Sequence, residues 1–223
     1  MDRPRSLIFI PALNEASSIS SVVSGCLALG DVLVLDDGST DSTATLAKAA
    51  GAIVVQNTTP KGYDNAIRTG FLYGAREAYD IFVTCDADGQ HRIEDIGSIL
   101  ETIKERPDAA IVIGKRDKFG RNSERLFGMV SRYLVGVTDP LSGLKAYRLA
   151  NLDGLYSLVG VNVGTAILTE AKSRNKIMVE DPIRIETRKE GVSRFGTNIR
   201  GELKILGAIF MFVIGALRPK TSG

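Results

Sequence analysis

The sequence predicts an α/β fold with a mainly parallel central sheet flanked by helices. Two observations predict it. The apolar runs Leu7-Ile8-Phe9-Ile10, Val32-Leu33-Val34-Leu35 and Ile81-Phe82-Val83-Thr84 read as strands buried on both faces, as in parallel sheets. Strands expected near 6–11, 31–36, 52–56, 80–85 and 109–114 alternate with helices near 17–29, 41–50, 63–78, 93–106 and 122–135. After about residue 138 the pattern changes, to strands at 142–148 and 177–187 and helices at 149–156 and 162–173.

Each of the first strands runs into a polar or acidic loop, so three such loops converge on one sheet edge. The first strand leads into Pro11-Ala12-Leu13-Asn14-Glu15. The second leads into Asp36-Asp37-Gly38-Ser39-Thr40-Asp41, where Asp41 or Ser39 suits a helix N-cap. A capped turn accounts for Asp41 but leaves two carboxylates whose repulsion calls for a partner. The base N–H and ribose hydroxyls of a nucleoside would serve. Lys61-Gly62 precedes a helix start near Asp64 and suits either capping that turn or meeting a phosphate.

The most informative stretch is Cys85-Asp86-Ala87-Asp88-Gly89-Gln90-His91. Two carboxylates on alternate residues at the carboxyl end of a strand sit where open α/β sheets bind ligands. Such hard oxygens suit Mg²⁺ or Mn²⁺, which keep coordination positions open for a nucleoside diphosphate. Taken alone, the stretch reads equally well as an acidic turn. His91, the only histidine, follows at a helix start and reads as structural.

Composition narrows the function. A net charge of +2, with no basic stretch interleaved with aromatics, argues against nucleic acid. Basic residues do gather between 115 and 132, as Lys115, Arg116, Lys118, Arg121, Arg125 and Arg132. This is either a solvated helix face or a site for a pyrophosphate or phosphorylated acceptor. Cys26 and Cys85 give no disulfide framework and fit a reducing compartment. The N-terminus lacks a signal-type apolar region, so a cytoplasmic protein is expected. Residues 205–217 carry no charge, yet a bilayer span needs roughly 20 apolar residues. The segment is either a core helix or one lying in a lipid interface, with Arg200, Lys204, Arg218 and Lys220 facing headgroups.

Pro-Ala-Leu-Asn-Glu, Asp-Asp-Gly-Ser-Thr-Asp and Asp-Ala-Asp-Gly-Gln-His, in that order, resemble the family 2 glycosyltransferases of GT-A fold, especially the dolichyl- or polyprenyl-phosphate mannose or glucose synthases. Gly114-Lys115-Arg116, Asp139-Pro140-Leu141-Ser142-Gly143-Leu144, Asp181-Pro182-Ile183 and residues 188–194 extend the likeness over about residues 6 to 200. It implies a nucleotide-diphospho-sugar transferase with one GT-A domain over 1–200, a donor half at about 6–115, an acceptor half at about 116–200, and an apolar helix at 201–223. Asp86 and Asp88, with Gln90, would hold the cation that neutralises the departing nucleoside diphosphate. Glu15 and Asp37 would contact the nucleoside, with the backbone of Pro11, Ala12 and Leu13 shaping the base pocket. Lys61, Ala87, Arg116, Arg188, Ser193 and Arg194 complete the expected donor site. Asp88, Arg116 and Arg125 are the expected catalytic residues, with Arg121 or Arg132 able to take the second arginine's role.

Two departures from the family pattern matter. Pro60-Lys61-Gly62 lacks the first glycine of a glycine-lysine-glycine run. Residues 161–166 lack the carboxylate that many family members place there as a base, and Glu170 lies a turn farther along. A hydroxyl acceptor needs such a base. A lipid monophosphate, with a second pKa of about 6, does not. The expected reaction therefore moves a hexose with inversion from a nucleotide sugar, GDP-mannose before UDP-sugars, to a polyprenyl or dolichyl phosphate at the inner face of the cytoplasmic membrane. The alternatives are a transferase acting on a saccharide hydroxyl, with Glu170 or Asp139 as base, a nucleotidyltransferase, and a non-catalytic nucleotide-sugar sensor.

Overall fold

The computed structural model describes residues 4–152, 163–185 and 199–216. Strands β1 (Ser6–Ala12), β2 (Asp31–Asp36), β3 (Ile53–Gln56), β4 (Ile81–Thr84), β5 (Ala109–Arg116), β6 (Lys145–Arg148) and β7 (Ile177–Ile183) form one sheet in the order β3-β2-β1-β4-β6-β5-β7. The helices are α1 (Ile19–Cys26), α2 (Thr43–Ala49), α3 (Tyr63–Arg76), α4 (Ile93–Glu105), α5 (Asn122–Val135), α6 (Val163–Ser173) and α7 (Ile199–Ala216).

β1 pairs in parallel with β2 and β4, β2 with β3, and β5 with β7. The exception is β6, which runs antiparallel between β4 and β5. Its first residue, Lys145, lies beside Thr84 at the carboxyl end of β4 and beside Ile113 near that of β5. The chain therefore leaves β5, makes α5, and re-enters the sheet from the same edge instead of crossing back. This reversal brings residues 136–144 to the edge where β4 and β5 end.

Successive strand residues face opposite sides, so the sheet divides its apolar residues between two clusters. Leu7, Phe9, Leu33, Leu35 and Phe82 pack with α3, α5, α6 and α7, whereas Ile8, Ile10, Val32, Val34 and Val83 pack with α1, α2 and α4. Each fully buried aliphatic or aromatic side chain contributes roughly 1.5–3 kcal/mol. On the α3 side Phe9 stacks on Phe82 with centroids 5.4 Å apart, Phe71 lies tilted against Phe82 at 4.3 Å, and Tyr147 meets Phe71 edge-on at 4.9 Å.

Helix α7 carries its charged residues in its first turns and is uncharged from Ile205 onward, and one side of it packs in the core. Ile205 and Phe212 are buried, with the Phe212 ring 5.1 Å from Phe127 of α5. Leu203 and Phe210, on the opposite side, are 61% and 66% exposed. Among the described residues, no helix is long and apolar enough to cross a membrane. Where a helix was expected at 149–156, a single 3₁₀ turn covers Leu149–Leu152, and residues 153–162 lie outside the described part.

The packing of α3 on the sheet depends on Gly70, where an added Cβ would stand 2.6 Å from Cδ2 of Phe9. Gly70→Ala is expected to destabilise the protein by about 1–3 kcal/mol in urea unfolding, despite alanine's better helix propensity. A stability equal to or above wild type would show that α3 does not press on Phe9.

Candidate active site

The registers Ala12↔Asp36 and Phe9↔Thr84 place the carboxyl ends of β1, β2 and β4 side by side. The loops after β1 and β2 are laced together. Asn14, with φ of 55°, donates its N–H to Ser39 Oγ (2.8 Å) and accepts from the Thr40 N–H (2.9 Å). Glu15 is buried and gives its N–H to Thr43 Oγ1 at 2.8 Å. Asp41 accepts from the N–H groups of Thr43 (3.0 Å) and Ala16 (3.2 Å). Burial would raise its pKa, but these donors outweigh that and hold it below the ordinary value.

The repulsion expected between Asp36 and Asp37 is offset within the chain, so a nucleoside is not needed for that purpose. Asp36 accepts from the Ser39 N–H (3.2 Å) and Gln56 Nε2 (2.9 Å). Asp37 accepts from Asn57 Nδ2 and from the N–H groups of Lys61 and Gly62, each at 2.8 Å. It thereby pins residues 57–62 ahead of α3, a turn that Gly62 allows with φ of 90°. The Lys61 side chain is exposed, Pro11 and Ala12 are buried as strand residues, and Leu13 is half-buried.

At the end of β4, Asp86 and Asp88 are half-buried and Ala87 is buried between them. The Gln90 N–H donates to Asp88 Oδ1 at 3.0 Å, closing the turn. His91, buried and bridged to Ile185, brings Nε2 to 3.5 Å from Asp86 Oδ2, while its Nδ1 is buried without a hydrogen-bond partner among the described residues. The tight turn at Gly89, where φ is 73°, brings this histidine back to Asp86.

The donor set fits a hard divalent cation of the Mg²⁺ or Mn²⁺ kind. Among the described residues, no three His, Cys, Asp or Glu side chains converge as a complete ligand set. The chain offers two carboxylates, which is the protein share of a site whose remaining positions go to water and phosphate oxygens. Asp86 and Asp88, with Gln90, are the residues that would hold it.

Opposite this pair, the loop between α5 and β6 ties the edge together. Arg116, at the end of β5, grips Asp139 through Nε (2.8 Å) and an NH2 nitrogen (2.9 Å), and its backbone N–H donates to the same carboxylate at 3.1 Å. The NH2 nitrogen also lies 3.3 Å from Glu124, which Arg121 approaches at 3.4 Å. Burial disfavours the charge on Arg116, but Asp139, Glu124 and Asp86 together hold its pKa above the ordinary value. Asp139 is fully buried in this pair, and Glu170 pairs with Arg174 at 2.8 Å. Gly143 abuts the Asp86 carboxyl, where an added Cβ would come within 2.7 Å of Cγ. Arg125 is exposed on α5. Arg188, Ser193 and Arg194 lie outside the described residues.

Lys145, at the start of β6, is buried and donates from Nζ to the Ser142 carbonyl. Burial pushes its amine down to about 8, against the pull of Asp139 and Asp86. Thr84 Oγ1 donates to the Gly143 carbonyl at 2.8 Å and holds the same loop from β4. Cys26 and Cys85, behind the acidic pair, are buried free thiols.

The order of this mixed sheet and its acidic carboxyl edge suit a sugar transferase of GT-A fold. Glycosyl transferase family 2 matches over residues 7–172, and the chain belongs to that family as a glycosyltransferase. It is 30% identical to an undecaprenyl-phosphate mannosyltransferase of Micrococcus luteus, over 89% of this chain and 90% of that one. It is 31% identical to a polyprenol monophosphomannose synthase of Mycolicibacterium smegmatis, over 88% and 83%. The glucosyl-3-phosphoglycerate synthase of Mycobacterium tuberculosis, solved with Mn²⁺, UDP-glucose and phosphoglyceric acid, shares the fold. Its TM-score is 0.77 at 21% identity, covering 98% of this chain and 82% of that one.

The buried amine of Lys145 makes stability depend on pH. Between about 8 and its ordinary 10.5 the amine is neutral in the folded chain but charged in the unfolded one, so folding strengthens as pH rises. Urea unfolding at pH 8 and pH 10 should show the wild type gaining about 2 kcal/mol relative to Lys145→Met. Equal gains in both proteins would mean that the folded-state amine keeps its ordinary basicity.

Proposed function

We propose that this glycosyltransferase moves a hexose from a nucleotide sugar, GDP-mannose before UDP-sugars, to a polyprenyl or dolichyl phosphate with inversion at the anomeric carbon. The observation that carries the reading is the identity of about 30% over nearly nine-tenths of the chain to transferases named for polyprenyl-phosphate mannose synthesis. Two features of the site support it. The carboxylates of Asp86 and Asp88 stand together at the strand end where a nucleoside diphosphate would leave. On the acceptor side, Asp139 and Glu170 are both engaged by arginines, which suits an acceptor that arrives already ionised.

In this reading residues 1–200 act as one catalytic domain, with the donor held over the first half. Glu15, Asp37 and the backbone of Pro11 to Leu13 border the nucleoside, and Lys61 borders the phosphates. Arg116, fixed by Asp139, aims its remaining N–H donors at phosphate, and Arg125, Arg188, Ser193 and Arg194 add charge and hydrogen bonds there. A bound Mg²⁺ or Mn²⁺ would supply charge neutralisation for the leaving diphosphate. The acceptor phosphate is the nucleophile and needs no proton removed at neutral pH.

A lipid acceptor would call for the enzyme to work at the cytoplasmic face of a membrane, and exposed side chains on two helices support that reading. Leu203, Phe210 and Met211 on α7 are exposed, as are Met129 and Tyr133 on the neighbouring α5, where Arg125 and Arg132 are exposed as well. Exposed apolar side chains accompanied by arginines suit the interface of an anionic bilayer.

A detergent assay with GDP-mannose should give turnover with polyprenyl phosphate and none with the free polyprenol, and EDTA should abolish it until Mn²⁺ is restored. Asp88→Ala should lower kcat by at least about 10²-fold with an unchanged melting temperature. Transfer to the alcohol alone would overturn the acceptor assignment, and wild-type turnover by Asp88→Ala would remove the acidic pair from the reaction.

A further inference from the structure

The strand β7 carries two adjacent carboxylates with opposite attachments. Asp181 accepts from Ser98 Oγ (3.1 Å) and Thr102 Oγ1 (2.8 Å) and so ties β7 to α4. Glu180 faces the other side of the sheet and accepts from three donors of the loop after α5. These are the Thr138 N–H (2.7 Å), the Thr138 hydroxyl (2.7 Å) and the Asp139 N–H (2.9 Å). No other side chain described here receives two successive backbone N–H groups of that loop.

The consequence lies one residue on. The Asp139 whose N–H is fixed by Glu180 is the residue whose carboxylate holds Arg116 by its fork. Four residues farther, Gly143 abuts Asp86 and is held by Thr84. From the helix side, Gly128 of α5 packs so closely on the Thr138 carbonyl that it admits no side chain. The loop is therefore clamped at its first residues between β7 and α5, and it passes that position on to both the guanidinium and the acidic pair.

We propose that Glu180 is a positioning residue for sugar transfer. It seats the 138–144 loop so that Arg116 points its free donors at phosphate while Asp86 keeps its place. The charge of Glu180 contributes little directly, because three loop donors already satisfy it. Its effect passes through Asp139 to Arg116, and a guanidinium displaced by about 1 Å costs on the order of 10²-fold in rate. The inference rests on the reading of Arg116 as a phosphate-facing residue, and its test separates the two.

The experiment is a double-mutant cycle on kcat and KM, with the Arg116 Nε–H resonance as a second readout. Glu180→Ala should lower kcat by about 10²-fold while the KM for the nucleotide sugar changes less than about threefold. Glu180→Gln, which keeps one acceptor oxygen for the two N–H groups, should recover most of the rate. In an Arg116→Ala background, Glu180→Ala should add nothing, since coupled residues are not additive. In ¹⁵N spectra the slowly exchanging Arg116 Nε–H signal, assigned by its loss in Arg116→Lys, should broaden or vanish in Glu180→Ala and persist in Glu180→Gln. If Glu180→Ala does not fold, Thr138→Val, which removes only the hydroxyl donor, should show the same pattern at smaller amplitude. An unchanged Arg116 signal, or rate losses that add fully, would overturn the positioning role. Wild-type kcat in Arg116→Ala with that signal lost in Glu180→Ala would instead overturn the phosphate role of Arg116 and leave the seating of the loop intact.

Discussion

The buried pairing of Asp139 with Arg116 is the interaction on which the arrangement of the site depends. A fully buried carboxylate is tolerable only with a charged partner and further donors, and here it has both. Breaking such a pair by removing one member costs about 3–5 kcal/mol, because the other charge is left buried and alone. The pair also bridges two segments far apart in sequence, the end of β5 and the loop entering β6. Because β6 enters the sheet from its carboxyl edge, that loop lies across the mouth of the site instead of behind it.

Asp86 lies close enough to Arg116 and the buried Lys145 to favour the charged form of both. Arg116 is balanced by Asp139 and Glu124, so its position is fixed by neutralising contacts. The carboxylates after β2 play a different part. Asp36 and Asp37 hold their own loops through neutral donors, and Asp37 in particular fixes the 57–62 turn ahead of α3. Two acidic clusters that look alike in sequence thus do different work, one organising the chain and the other facing the open edge.

Most of the architecture was legible because it rests on local patterns. Four-residue apolar runs gave β1, β2 and β4, and their polar ends marked the sheet edge where the following loops meet. The direction of β6 was not legible, because it depends on where α5 returns the chain, and no local signal records that. The internal satisfaction of Asp37 was hidden for a similar reason, since two of its donors are backbone groups some 24 residues away. The nearness of His91 to Asp86 was not legible, because only the turn at Gly89 brings the two together. Glu180 carried no signal, being one carboxylate within the strand expected at 177–187. Arg116 was singled out from the basic run, but the commitment of its fork to Asp139 was not legible, because that partner lies 23 residues on.

The central claim is that Asp86 and Asp88 share a divalent cation with the diphosphate of the donor. Diffraction from crystals grown with Mn²⁺ and GDP, recorded at the manganese absorption edge, tests it directly. An anomalous peak within about 2.5 Å of both carboxylates and of the diphosphate oxygens is the predicted result. Bound nucleotide with the manganese elsewhere, or with both carboxylates turned away from it, would contradict the account.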